Sequence, residues 1–204
     1  MGKKATLYLA VLACLTILAV PASAGILDGN PDAIIAGSTA FANNDLNGYL
    51  DWAVFKAEDL PITPVGWTPT AGELVYAYQV FELGTDYVSS ASVPVHNEST
   101  NIGDFPYAAG EVAPDTAYFT GIPGEAYWTF HDPSIAQGES STILAFSSPN
   151  LPINGFSILV DGGTYAIGIP VPTPGAVSIP EPGTCTLLLA GLALLGFTRF
   201  TRQK

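Results

Sequence analysis

Basic residues are nearly missing from the middle of this chain. Of its six Lys and Arg, only Lys56 lies between residues 25 and 179, where it faces 17 acids and leaves a formal charge of −16. Nonspecific nucleic-acid binding requires clustered Lys and Arg and is excluded. Docking on anionic headgroups is disfavoured for the same reason. Cysteine is scarcer still: Cys14 and Cys185 are the only two, and both fall outside that stretch. Residues 25–179 therefore have no disulfide, thiolate metal site or cysteine nucleophile. Histidine is limited to His96 and His131, too few for zinc unless carboxylates complete the set. Gly138-Glu139-Ser140-Ser141-Thr142 lacks the closing glycine of a nucleophile elbow, and no glycine-rich phosphate loop occurs. Carboxylates are plentiful, but nothing in their spacing selects an acid/base pair of the kind a glycosidase needs. The segment reads as noncatalytic, with an exported hydrolase as a lesser alternative.

What the chain does have is apolar sequence flanked by base. Lys3 and Lys4 precede an apolar run from Leu7 to Val20, and Ala22-Ser23-Ala24 forms a small-residue cleavage site before Gly25. Residues 1–24 read as a secretory signal peptide for the general secretion machinery, with Ala22 and Ala24 at the cut. At the other end, 17 uncharged residues separate Glu181 from Arg199. As a helix they reach roughly 26 Å, the short limit for crossing a hydrocarbon core. Arg199, Arg202 and Lys204 then supply a stop-transfer signal. Basic residues stay on the cytoplasmic side, so the anionic middle is delivered outside.

Pro180, Glu181, Pro182 and Gly183, the apolar stretch 183–198 and the basic residues after it resemble the PEP-CTERM sorting tail of exported bacterial proteins. The resemblance is confined to residues 180–204. It implies that an exosortase recognises the tripeptide and removes a tail first held in the membrane by a helix. It further implies a Gram-negative bacterium that makes extracellular polysaccharide, which becomes a candidate partner at the cell surface.

Between the two ends, period-two alternation dominates. Leu50, Trp52 and Val54 share one strand face, as do Trp128 and Phe130, and Ala91, Val93 and Val95. Phe156, Ile158 and Val160 form another apolar face, and Tyr165, Ile167 and Ile169 a further one. Leu74 to Leu83 is apolar on both sides, as expected of a central strand. About seven short strands punctuated by Gly, Asn, Asp and Pro turns predict an antiparallel β-sandwich, Ig-like or jelly-roll, over residues 25–169. Prolines at 170, 172 and 174 predict a stiff extended tether over 170–179.

Candidate binding residues follow from turn and loop chemistry. Asp28, Asn30 and Asp32 place oxygen side chains at alternate positions, as do Asn43, Asp45 and Asn47, and calcium is the cation such loops suit. Neither loop has a glutamate at the twelfth place. Trp67 lies in the proline-flanked loop Pro64-Val65-Gly66-Trp67-Thr68-Pro69 and is the tryptophan expected to be exposed, where it would stack on a sugar. The sequence thus supports a sorted structural or matrix protein, with a carbohydrate-binding or adhesive module as the alternative.

Overall fold

The computed structural model describes residues 27–64, 66–95, 98–106, 108–121, 124–161 and 163–178. The signal segment and the sorting tail, with its expected transmembrane helix, lie outside the described residues. Among the described residues the protein is all-β apart from one 3₁₀ turn at Ala57–Asp59. No helix among them is long and apolar enough to cross a membrane.

The first sheet has seven strands: β1 (Ile35–Asn43), β2 (Leu46–Lys56), β3 (Leu74–Glu82), β5 (Thr100–Asp104), β6 (Glu111–Val112), β9 (Ser140–Ser141) and β10 (Leu144–Ser148). Its main order is β1-β2-β3-β10-β5, with β9 joining β3 to β6. The second has five: β4 (Ser90–Val95), β7 (Thr116–Phe119), β8 (Gly124–Thr129), β11 (Asn150–Val160) and β12 (Tyr165–Ser178), in the order β12-β11-β4-β8-β7. All pairings are antiparallel except the short β6–β9 pair.

Alternation explains how the sheets meet. Leu50, Val54, Tyr76, Tyr78, Leu144 and Phe146 point from the first sheet into a core shared with Val93, Ala126, Trp128, Leu159 and Ile169 of the second. Burying each such large side chain contributes roughly 1.5–3 kcal/mol. Aromatic rings dominate the centre: Tyr76 stacks on Phe146 with centroids 5.3 Å apart, and Trp128 lies 6.4 Å from both Tyr78 and Phe146. The polar tips of these rings tie one sheet to the other. Tyr76 Oη donates to the Asn150 carbonyl at 2.8 Å, Tyr78 Oη to the Pro172 carbonyl at 2.6 Å, and Trp128 Nε1 to the Gly103 carbonyl at 3.0 Å.

Two expectations need correction. Residues 170–178 are not a tether: they are the second half of β12, paired with β11 from Pro170↔Phe156 to Ser178↔Asn150. Alternate residues of an antiparallel strand direct their N–H and C=O to the same side. Pro170, Pro172 and Pro174 occupy the side away from β11, where no ladder donor is needed. The carbonyls on that side are taken by hydroxyls of the first sheet, Thr39 on Pro170 and Tyr78 on Pro172. Over residues 170–174 the edge of β12 thus offers no donor from its prolines, and two of its carbonyls are already taken, which disfavours strand addition there.

The apolar faces read for the last two strands are also divided. In β11 the buried residues are Asn150, Ser157 and Leu159, with Asp161 just after the strand, while Phe156 is turned outward. In β12 Ile169 is buried but Tyr165 and Ile167 face solvent. The ladder slips between Ser157↔Ile169 and Ile158↔Ile167, leaving Gly168 as an extra residue. Its φ of +74° is a left-handed conformation that glycine adopts without steric cost. The bulge reverses the inward phase of β12 midway.

Candidate functional site

The first sheet also has an apolar outer face, because β2 and β3 carry Ala53, Phe55, Val75 and Ala77 on that side. The chain covers this face with its own loops. Leu27, Leu60, Ile62, Trp67 and Phe105 lie over it. Trp67 is accordingly half-buried rather than free in solution. Its Nε1 donates to the Asp104 carbonyl at 2.9 Å, and its ring meets Phe105 edge-on with centroids 5.9 Å apart. Gly103 makes this seat possible: a Cβ there would come within 2.4 Å of the indole. The proline-flanked loop exists to lay an indole on an exposed sheet, and the ring expected to stack on sugar is used for packing.

The candidate calcium loops fold as turns. Asn30 Oδ1 accepts from the Asp32 backbone N–H at 3.0 Å, so this oxygen closes its own turn beside Asp28. Asn43 and Asn47 fall on opposite strands of the β1–β2 hairpin, with Asp45 in the tight turn between them. Asn43 Nδ2 donates to the Tyr165 carbonyl, and the Asp45 carbonyl accepts from Thr85 and Asp86 at 3.0 and 3.3 Å. A hairpin splays these positions apart, whereas an EF-hand loop wraps them round one ion. Among the described residues no three His, Cys, Asp or Glu side chains come together as a metal site. His131 is exposed with Nδ1 3.3 Å from Asp115 Oδ2, and His96 lies outside the described residues.

The tertiary fold instead assembles an acidic pair that sequence spacing does not reveal. Asp86 follows β3 and Asp161 follows β11, and their carboxyls hydrogen-bond to each other. Asp86 is pushed above the usual carboxylate range by that bond first, then by partial desolvation and the charges of Asp161 and Asp45. Desolvation opposes ionisation of Asp161, yet bonds from Asp86 and the Thr164 and Gly163 N–H groups outweigh it and hold the carboxyl low. Both residues stand in turns legible in the sequence, Gly84-Thr85-Asp86 and Asp161-Gly162-Gly163, but nothing local brings them together. Carboxyls in hydrogen-bond contact are too close for either glycosidase geometry.

A second acid is buried outright. Glu82 has no solvent exposure, and its Oε1 accepts from Asn47 and Gly84 N–H groups at 3.1 and 2.6 Å while Oε2 has no partner. Burial raises its carboxyl, against the lowering effect of those N–H groups.

Two surfaces remain. A cleft of about 190 Å³ opens between β1 and the β11–β12 hairpin, lined by Thr39, Trp52, Ile153, Asn154 and Pro170 among others. Trp52 Nε1 donates to Thr39 Oγ1 at 3.2 Å, and that hydroxyl in turn donates a hydrogen bond to the Pro170 carbonyl at 2.8 Å. The other is the outer face of the second sheet. Its ladder rows run Tyr165–Val160–Ser90–Thr129–Thr116 and Ile167–Ile158–Ser92–Tyr127–Tyr118, uncharged across five strands.

The residues expected to direct the chain, Pro180, Glu181, Pro182, Gly183, Arg199, Arg202 and Lys204, lie outside the described residues, as do Ala22 and Ala24 of the expected signal cleavage site. The two-sheet body delivers the chain to them at Ser178, the last residue of β12. The family model for the PEP-CTERM protein-sorting motif matches residues 178–203. The match implies export, association with the membrane or cell surface, and exosortase as the processing partner. Comparison with curated proteins and with solved structures found no match.

Proposed function

We propose that the chain is an exported, noncatalytic β-sandwich of the cell surface or the surrounding polymer matrix. Its tail holds it in the membrane until exosortase cuts near Pro182. The observation that carries this reading is the sorting-motif match over residues 178–203, beginning where β12 ends. A body with one base and 17 acids between residues 25 and 179 is soluble once released, by mutual repulsion. Intact mass of the protein from its own cells, with and without exosortase, tests the proposal. The mature form should lack the apolar tail. A variant with Pro180, Glu181 and Pro182 all replaced by alanine should keep it and stay in the membrane fraction. Release of that variant as freely as the parent would refute processing at the tripeptide.

The Trp52 cleft favours a second reading, a carbohydrate-binding or adhesive module. It offers one indole face with the Asn154 amide nearby, in a volume below the roughly 300–1,000 Å³ of typical small-molecule pockets. Quenching of Trp52 fluorescence by the cells' own polysaccharide, lost when Asn154 is replaced by leucine, would support this reading. An unchanged spectrum at saturating polysaccharide would dismiss it.

A further inference from the structure

The loops that cover the outer face of the first sheet have no counterpart on the second among the described residues. There the β11–β12 hairpin leaves Ile167 64 %, Tyr165 55 % and Phe156 48 % exposed. Neither strand contains a charged residue, in a body with 17 acids. Charge and apolar surface have been separated along this hairpin, whose second strand also carries the chain out of the body at Ser178.

Position supplies the occupant. β12 ends at Ser178, and the uncharged segment begins at Gly183. The residues between span at most roughly 14 Å at about 3.5 Å each. With that segment in the membrane, the Ser178 end of the hairpin is held close to lipid, and Phe156 and Ile167, level with positions eight and eleven residues back along β12, reach the same surface when the hairpin lies along it. A second copy is a poor occupant, since each body carries −16 and repels its like. We infer, on the sorting-tail reading, that in the uncleaved precursor the outer face of the β11–β12 hairpin rests on the neutral headgroup region of the bilayer. Phe156, Tyr165 and Ile167 insert among the headgroups there, and the acids are turned toward water. Tyrosine suits this depth because its ring is apolar and its hydroxyl stays hydrated. Anionic lipid weakens the contact, because the body as a whole is repelled. Cleavage of the tail then frees the body, because a few partly inserted side chains do not hold it without an anchor.

The full chain, with Cys14 and Cys185 changed to serine, provides a clean background for single-cysteine labelling. An environment-sensitive fluorophore is placed by Ile167→Cys or, as a control over the first sheet, by Glu58→Cys, and the protein is reconstituted in phosphatidylcholine vesicles. Headgroup-attached nitroxide should quench the Ile167 probe several-fold more than the Glu58 probe. The Phe156→Ser/Tyr165→Ser double variant should lose most of that difference while still floating with the vesicles. Flotation with equal quenching at both positions overturns the inference and leaves the sorting-tail reading standing. Failure to float overturns the tail reading and the inference with it. Quenching that appears only at high protein density, with the probes quenching one another, assigns the face to a second copy and also overturns it.

Discussion

Replacing Tyr78 by phenylalanine removes a single oxygen from the contact between the two sheets. The ring stays, so its packing against Trp128 and Phe146 is retained. What disappears is the 2.6 Å bond to the Pro172 carbonyl, a group on the proline-lined side of β12. Both partners are buried, so water does not replace the lost donor. Leaving a buried carbonyl unmatched costs roughly 1–3 kcal/mol. At about 2–4 °C per kcal/mol for a domain of this size, the chain ending at Ser178 should melt roughly 2–12 °C lower. The same residue leaves a second signature in alkali. Burial holds the Tyr78 hydroxyl well above the ordinary tyrosine value of 10.0, and burial also raises Tyr76. Above that pH the unfolded chain releases both protons and the folded one keeps them. Stability is therefore full below about pH 10 and falls as pH rises further, by about 2.7 kcal/mol per pH unit for two such groups. Tyr78→Phe should halve that slope. Urea denaturation followed by tryptophan fluorescence at pH 7 and across pH 10–11.5 reads both effects. If the variant matches the parent in midpoint and in alkaline slope, the hydroxyl does not tie the sheets and the account of the β12 edge fails.

Other expectations follow from the same structure. Glu82→Gln keeps the acceptor for the Asn47 and Gly84 N–H groups and removes a charge that burial disfavours. A carboxyl raised by folding stabilises fully below the ordinary glutamate range and loses that contribution as pH rises through it. The variant should thus be more stable at pH 7 by roughly 1 kcal/mol and no more stable near pH 3, as thermal melts at both values would register. Trp67→Ala should lower stability by about 2 kcal/mol, below the 3–5 expected of a fully buried ring, and leave polysaccharide binding unchanged. Selective loss of binding with an unaltered melting temperature would restore the indole to a ligand site.

The charge partition and the sorting motif were legible in the linear chain because each is a property of the sequence that does not wait for folding. Period-two alternation likewise revealed an all-β body, since the pleat imposes it locally. Which side of a strand faces inward was a tertiary matter. Both β2 and β11 are apolar on more than one side, and only the layers packed on them decide what is buried. Trp67 was read as free because its partner, the outer face of β2 and β3, is built from other parts of the chain. The prolines of 170–174 looked like a tether because a missing N–H breaks a ladder. Placed on alternate residues at a sheet edge, they break nothing, and whether a strand is an edge is a property of the assembled sheets. Asp86 and Asp161 stand in turns marked by their own sequence, yet their contact depends on the approach of two distant loops. Local chemistry settled what kind of elements form and where the chain is sent, because neighbours in sequence suffice for both. Burial, strand pairing and the contact between two distant carboxyls waited for the fold, because each requires groups that only packing brings together.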